Sequence, residues 1–590
     1  MLSPDSRTVA VELLRPPPGQ QLDLAVLTTY SLDLEALLAL PLAVLAHADG
    51  GVDELLQDPL RLLEALRTAG ERVHVFVDAT GIAIPRTARP LYAMLEASVH
   101  AVRAPNGGAF HPKVWVARFI DDAGAPTLRV AVLSRNLTFD RSWDLALATE
   151  AEPTRRNVAA SRGLAELVRR LPELAGADIS VAVAQSVLAV ADELAKTAFP
   201  APENFDSPVW FEALGLADGA TRPWKPRSDG SRLLAIAPFA NRTALDTLVK
   251  LSNGERTLVS RPESLDCLPD DALAAWDTVL VLSELVADES NDGTSQRPSG
   301  LHAKAISIEH GWDVTWFVGS ANLTAAAFTG RNVEMMASMT AKKSTEGIEK
   351  FKEGFATLCA PYRRSPAPID DAAAAIQEQL EAVRASLLDS ALGMACVEGT
   401  EGWDLQITGS PTVSPTVTAH AWPVSVSEDL AQPLTDAARW HLPVARLTAF
   451  LAIRLEANDA KVDALRFTMK VTVDGMPDGR MAHVLRTLID SPERFLQFLR
   501  ALLGGLDAMI DNVVEGSDAS GSATWGAGLD GETLLEDLVR VAARDPARLE
   551  PVRRLIRDLR STDEGRKIVP DDLYALWAVV DEALGIEGTP

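Results

Sequence analysis

Short apolar runs alternate with amphipathic stretches through the first 365 residues, and they fall into two sets with the same order. "LAVLTTYSLDLEALL" from Leu24 and "LLAIAPFANRTALDTL" from Leu233 each read as an apolar strand, a polar turn and a short helical pattern. A second strand follows in each set, "RVHVFVDATGI" from Arg72 and "RTLVSR" from Arg256. Third come "FHPKVWVARF" (110–119) and "LHAKAISIEH" (301–310), each a His-x-Lys pair followed by strand-like alternation. Fourth are "LRVAVLSRNLTFDRSWDLAL" (128–147) and "VTWFVGSANLTAAAFTGRNVEMM" (314–336). Both contain an apolar strand, Ser-x-Asn-Leu-Thr, and a carboxylate ahead of more apolar residues. Four blocks repeated in one order point to an internal duplication. Helical spacing in "SRGLAELVRRL" (161–171) and "TEGIEKFKEGFATLC" (345–359) predicts an α/β sandwich for each half.

The pattern changes at three places. Residues 1–199 form the first half, and the Pro-, Gly- and Asp-rich stretch 200–232 reads as a linker to the second half, 233–365. Beyond "APYRRSPAP" lies a C-terminal accessory region, 366–590. There, 366–400 has helical spacing and 403–425 reads as Thr/Val strands. The remainder is predicted as mainly amphipathic helix, for example "SPERFLQFLRALLGGL" with Ser491 as N-cap. The expected architecture is therefore α/β: two duplicated halves forming a pseudo-dimer, followed by a mainly helical α+β domain.

A chain of 590 residues with 47% hydrophobic and 23% charged residues has an ordinary globular composition, and its length exceeds what one core supports. No apolar stretch reaches the roughly 18 residues of a membrane span. The first residues lack the basic-then-apolar layout of a signal peptide. Cys267, Cys359 and Cys396 have neither disulfide nor zinc spacing, so a cytoplasmic location is expected. The net charge of −26 argues against a simple polyanion binder, yet it is uneven. Residues 366–590 hold 36 Asp+Glu against 20 Lys+Arg, a net of −16, which leaves −10 for the first 365. The acidic region suits a protein partner better than DNA.

The repeated residues carry the chemistry. Histidine and lysine two apart on a strand share a face. A neighbouring strand ending in Ser-x-Asn would bring Ser134 with Asn136, or Ser320 with Asn322, to the same corner. Two such corners facing each other would gather His111, His302, Lys113, Lys304, Asn136 and Asn322 around one cavity. Lysine and amide donors suit the non-bridging oxygens of phosphate. One imidazole can attack phosphorus while the other protonates the leaving oxygen. No carboxylate pair or cysteine cluster accompanies them, so neither a metal nor an organic cofactor is called for.

The doubled His-x-Lys with Ser-x-Asn resembles the phospholipase D superfamily, in block order over residues 20–365 and most sharply around 110–150 and 301–336. "SANLTAAA" and "SRNLTFDRSW" look most like its tyrosyl-DNA phosphodiesterase and nuclease branches. The resemblance implies a covalent phosphohistidine, with His111 as nucleophile, His302 as general acid, and the lysines and asparagines gripping phosphate. It further implies that Glu334, and Asp144 by the repeat alignment, orient histidines. Two departures stand out. The family's Asp five residues after the lysine is Arg118 in one copy and Glu309 in the other, and its Gly before Ser is Gly319 in one and Leu133 in the other.

The function expected on this basis is a metal-independent phosphodiesterase or nuclease on nucleic acid, DNA favoured, without stable membrane association. Bacterial proteins of similar layout imply phage defence or DNA repair and a helicase-like partner for the acidic region. A phospholipase or phosphatidyltransferase is the alternative within the family, and a catalytically silent nucleic-acid scaffold the alternative outside it. Low aromatic content and the missing Asp positions count against the lipid reading. His47, His74, His100, His310, His420, His441 and His483 have no partner by spacing and read as structural or surface residues. Tyr30 and Phe239, at the ends of the first strands, read as packing residues, and the Arg-rich run 548–560 as an exposed helix face.

Overall fold

The computed structural model describes residues 10–38, 72–139, 142–217, 229–283, 300–355, 358–365, 371–409, 413–457, 462–488, 549–560, 563–569 and 571–583, with isolated positions between them. The helix expected over 491–506 lies largely outside the described residues.

Two mixed sheets dominate. The first is built from β1 (Gln20–Thr29), β2 (Val73–Asp78), β3 (Val99–Val102), β4 (Val114–Asp121), β5 (Pro126–Leu133) and, beyond the two-residue β6 (Ser142–Trp143), β7 (Ala146–Ala151). Its order is β3-β2-β1-β4-β5-β7. The β1–β2 and β2–β3 pairs are parallel, and those from β1 through β4 and β5 to β7 are antiparallel.

The second sheet contains β8 (Phe205–Leu214), β9 (Arg232–Ile236), β10 (Arg256–Val259) and β11 (Thr278–Leu282). After the short β12 (Gly300–Leu301) it continues with β13 (Ala305–His310), β14 (Asp313–Gly319), β15 (Glu334–Lys342) and β16 (Cys359–Pro361). Within its order β16-β11-β10-β9-β13-β14-β15-β8, the run β11-β10-β9-β13-β14-β15 repeats the first sheet strand for strand and sense for sense.

Both sheets are covered on both faces, which is why their strands read as nearly continuous apolar runs. Alternate residues still go to different cores. Leu24, Val26 and Phe76 join Leu234, Ile236, Trp316 and Val318 in one core between the sheets, sealed by the helices Arg162–Ala175 and Val181–Leu194. Ala25, Leu27, Val75 and Val77 face the other way, toward the C-terminal region. Leu233, Ala235 and Phe317 pack under the helix Arg242–Val249.

The stretch expected to be only a linker, 200–232, contains β8, which pairs with β15 at the edge of the second sheet. Its proline and polar residues are compatible with an edge strand, where ladder donors are not all required.

The C-terminal region also departs from expectation. After the helix Asp371–Asp389, residues 393–474 form two four-stranded sheets, so strand structure is present over 403–425 as expected but continues to 474, where helices were expected. These contain β17 (Gly393–Glu398), β18 (Trp403–Thr408), β19 (Val417–Pro423), β20 (Gln432–Pro433), β21 (Arg439–Leu442), β22 (Phe450–Ala457), β23 (Leu465–Lys470) and β24 (Thr472–Asp474). Residues of β22, "FLAIRLEA", favour helix by intrinsic preference, but strand pairing with β19 and β23 and burial of Phe450, Leu451, Ala452 and Ile453 override it. Helices resume at Arg480–Leu488, Glu550–Arg560, Asp563–Ile568 and Asp571–Ala583.

This region is fused to the first sheet. Arg480 grips Glu96 through two hydrogen bonds of 2.7 and 3.0 Å, and Thr468 N–H donates to Ile82 C=O at 2.7 Å. Lys470 pairs with Asp178 at 2.6 Å.

Candidate active site

The two His-x-Lys pairs lie in extended segments immediately before β4 and β13, and the Ser-x-Asn segments follow β5 and β14. Antiparallel β4–β5 and β13–β14 pairing therefore brings each Ser beside the lysine of its own half. Leu133 N–H donates to Lys113 C=O at 2.8 Å, and Gly319 N–H to Lys304 C=O at 3.3 Å. A Cβ on Gly319 would stand 2.1 Å from Met335 O, so glycine is required by the backbone approach there. Leu133 fills the corresponding place in the first half without such crowding, so this departure from the repeat is a packing difference.

The backbones of the two halves clasp at the centre. His111 N–H donates to Val333 C=O at 2.9 Å, and His302 N–H donates to Trp143 C=O at 2.9 Å. Phe110 bridges to Val333, and β12 pairs in parallel with β6.

Through this clasp each histidine meets the carboxylate of the other half. His111 Nδ1 is 2.8 Å from Glu334 Oε2, and Glu334 is fully buried. His302 Nδ1 is 3.3 Å from Asp144 Oδ1, close enough to pair but not aligned as a hydrogen bond. Each serine supports the carboxylate that follows it in its own half. Ser320 Oγ donates to Glu334 Oε2 at 2.5 Å and accepts from Met335 N–H at 3.0 Å. Ser134 Oγ lies 3.4 Å from Asp144 Oδ1 and accepts from Leu145 N–H at 2.8 Å.

The sequence reading missed a further pair of supports. Asn332 donates to Glu334 at 3.3 Å and Ser142 to Asp144 at 3.1 Å. Both stand two residues before their carboxylate, and that common offset was the available signal.

Lys113 and Lys304 are almost wholly inaccessible to solvent. Lys113 Nζ donates to His111 C=O at 2.9 Å, and Lys304 Nζ donates to His302 C=O at 2.6 Å and to Ser134 C=O at 3.4 Å. Asn136 accepts from Ser31 N–H at 3.4 Å. Asn322 has a buried Oδ1 with no hydrogen-bond partner among the described residues. Leaving such an acceptor unpaired costs about 1–3 kcal/mol, whereas the Nδ2 amine of the same side chain is the group able to donate to a phosphate oxygen.

Burial sets the protonation of the centre. It pushes His111 down to about 4, helped by Lys113 and Lys304 and opposed by Glu334. The ring is therefore neutral at ordinary pH. With Nδ1–H donated to the carboxylate, the lone pair is on Nε2. Burial also lowers His302, against the pull of Asp144. Burial raises Glu334, but the His111 ring, Lys113 and Ser320 outweigh it and hold the carboxyl below its usual range.

Lys113 falls well below an ordinary lysine through burial and the nearby Lys304, and burial brings Lys304 to about 7. Each histidine feels the lysines of both halves, so the two corners form one electrostatic unit. Among the described residues, no group of three or more His, Cys, Asp or Glu is arranged to hold a metal ion.

Residues outside the motifs complete the surroundings. The Tyr30 ring lies 5.2 Å from that of His111 between centroids, and the charge of Arg384, on the helix Asp371–Asp389, acts on its hydroxyl. Arg384 could not be found from the repeat because it lies outside it. Arg118 and Glu309, at the family's Asp positions, serve the scaffold. Arg118 pairs with Asp23 and Glu193, and Glu309 accepts from Ile348 N–H at 2.8 Å. His74 and His100 contact each other in the interior at 3.2 Å, away from the motifs. No helix among the described residues is long and apolar enough to cross a membrane.

The chain is similar to the crystal structure of yeast tyrosyl-DNA phosphodiesterase over 58% of its own length and 88% of that chain, at 10% identity and a TM-score of 0.32. A mutant of the same yeast enzyme gives 58% and 87% coverage, 9% identity and a TM-score of 0.36. Polyphosphate kinase from Porphyromonas gingivalis is similar over 64% of this chain and 44% of that one, at 13% identity and a TM-score of 0.30. No protein-family profile and no curated protein matches the chain. The two corners thus repeat one set of residue types, one spacing and one pairing across two like sheets.

Proposed function

We propose that this chain is a phosphodiester hydrolase acting on nucleic acid through a covalent phosphohistidine, with lysine cations in the charge-stabilising role. The two sheets would then be duplicated halves of a pseudo-dimer with a single shared centre. One observation carries the reading: each motif histidine turns Nδ1 to a carboxylate from the opposite half, hydrogen-bonded for His111 and in looser contact for His302, which would leave both Nε2 atoms for one substrate. Carboxylate–histidine pairs that reach from one half to the other, across 223 residues for His111 and Glu334, have no need to be duplicated for packing alone.

In this mechanism His111 attacks and His302 serves as acid. The His111–Glu334 contact is the tighter one, and it fixes a neutral imidazole with its lone pair on Nε2. That lone pair forms an N–P bond while the bond from phosphorus to the leaving oxygen breaks. The proton on His302 Nε2 passes to that oxygen. Neutral His302 then takes a proton from water, the water oxygen bonds to phosphorus, and the N–P bond breaks to restore His111.

Lys113, Lys304, Asn136 and Asn322 hold the non-bridging oxygens as charge shifts onto them. The arriving phosphodiester supplies the negative charge that favours both ammonium forms, offsetting the downward pull of burial.

The test is incubation of the purified protein in EDTA with labelled single- and double-stranded DNA, RNA and phospholipid vesicles. Cleavage of a nucleic acid is expected. Turnover of lipid alone, or binding of strands without turnover, would sink the reading.

A further inference from the structure

The two sides of the histidine centre differ in what they present to a substrate. On the His111 side Tyr30 is half-buried beside the His111 ring, and the charge of Arg384 acts on its hydroxyl. On the His302 side Phe239 is 49% exposed, although most large apolar residues near it are buried.

Phe239 is tied to the centre by its backbone: Leu323 N–H donates to its C=O at 3.0 Å, next to Asn322. The guanidinium of Arg261 lies over the Phe239 ring at 5.5 Å from the centroid. Arg261 is itself fixed beside His302, because its Nε donates to Leu301 C=O at 2.7 Å, and its charge is felt by Lys304. The strand register aligns Arg261 with Asp78 of the first half, where Asp78 instead accepts from Phe110 N–H at 2.8 Å. Pseudo-symmetry is thus broken in one direction: the His302 side has a cation and an open aromatic ring.

We infer that Phe239 and Arg261 form a shelf for an unpaired nucleobase and its phosphate, so that the substrate is a single strand or a frayed end. The inference rests on the nucleic-acid reading above. An aromatic ring next to a fixed guanidinium meets the two needs of a strand bound without sequence preference, a stacking surface and a backbone contact. A base inside a duplex is already stacked on its neighbours and cannot lie on the ring. A lone ring beside a buried ionic centre offers too little apolar area to hold a bilayer.

The test uses the full chain in a His111→Ala background, which keeps the strand intact, with binding read by fluorescence anisotropy in EDTA. The probes are an oligothymidylate, the same length of strand with abasic residues, and a blunt duplex. The parent should bind the thymidine strand on the order of tenfold more tightly than the abasic strand, and the duplex more weakly than either.

Phe239→Ala should remove the preference for bases, Phe239→Trp should keep it, and melting temperatures report that both variants fold. Equal binding of thymidine and abasic strands by the parent, a Phe239→Ala variant with the preference intact, or a duplex bound as well as a single strand would each overturn the shelf. If the wild-type chain cleaves strands in EDTA while Phe239 is indifferent, only the shelf fails. If it cleaves no strand of any kind, the nucleic-acid reading fails first.

Discussion

His111 and Glu334 stand 223 residues apart in sequence and 2.8 Å apart in space, joined through the ring's Nδ1. The carboxylate comes from the second sheet and the histidine from the first, so neither half can set its own imidazole. Asp144 and His302 repeat the relationship in the opposite direction at 3.3 Å. Replacing one half's carboxylate should therefore disable the other half's histidine.

Glu334→Gln keeps the shape but offers an amide where Nδ1–H needs an anion. It should lower kcat/KM by about 10²-fold or more, within the range reported for general acid–base groups. Asp144→Asn should cost less, because the contact it replaces is longer and poorly aligned. The check is steady-state kinetics on one labelled strand, and equal losses in the two variants would contradict the asymmetry.

In the proposed mechanism the pH dependence follows from opposite requirements on the two rings. His111 must be neutral to attack and is held at about 4, so activity should rise as pH climbs through that value. His302 must carry a proton and is lowered from the usual 6.5, so activity should fall again before neutrality. The kcat/KM profile should be a bell with a mildly acidic optimum, since that ratio reports the free enzyme. Asp144 raises His302, so Asp144→Asn should move the alkaline limb to lower pH. A profile still rising at pH 8 would refute these assignments.

Lys113→Met and Lys304→Met should each reduce kcat by about 10²–10³-fold, the scale of a lost oxyanion-type donor. Burial brings Lys304 to about 7. Lys304→Arg, whose charge persists at higher pH, should consequently lose less relative to wild type at pH 8 than at pH 6. Parallel losses at both pH values would argue against Lys304 acting as a titrating cation.

The C-terminal region should contribute to the stability of the first sheet. Glu96 accepts from both Nη atoms of Arg480 and also from Thr448 Oγ1 and Ala449 N–H, all with little exposure. Glu96→Ala strands a buried guanidinium and should destabilise the protein by about 3–5 kcal/mol. Chemical denaturation measures this, and a loss under 1 kcal/mol would mean that the two parts are not mechanically joined there.

The residues of the centre were legible in the sequence because His-x-Lys and Ser-x-Asn are local patterns written twice. The order of apolar blocks likewise carried the two sheets, since strand period and burial on both faces leave a direct trace. The exchange of carboxylates was not legible: no local spacing says that Glu334 belongs to His111 rather than to His302. Arg384 and the fusion through Glu96 and Arg480 were hidden for the same reason, being contacts between distant segments. Strand β22 misled because Leu, Ala, Arg and Glu favour helix until neighbouring strands claim them. Strand β8 was obscured by the turn-forming residues that surround it.

The central claim is that His111 makes a bond to the phosphorus that His302 helps to release. Its most direct test is tandem mass spectrometry of a His302→Asn reaction quenched during turnover of a labelled strand. The predicted result is an acid-labile nucleotidyl adduct on His111, absent from His111→Ala. An adduct on any other residue, or steady turnover with no adduct in any variant, would contradict it.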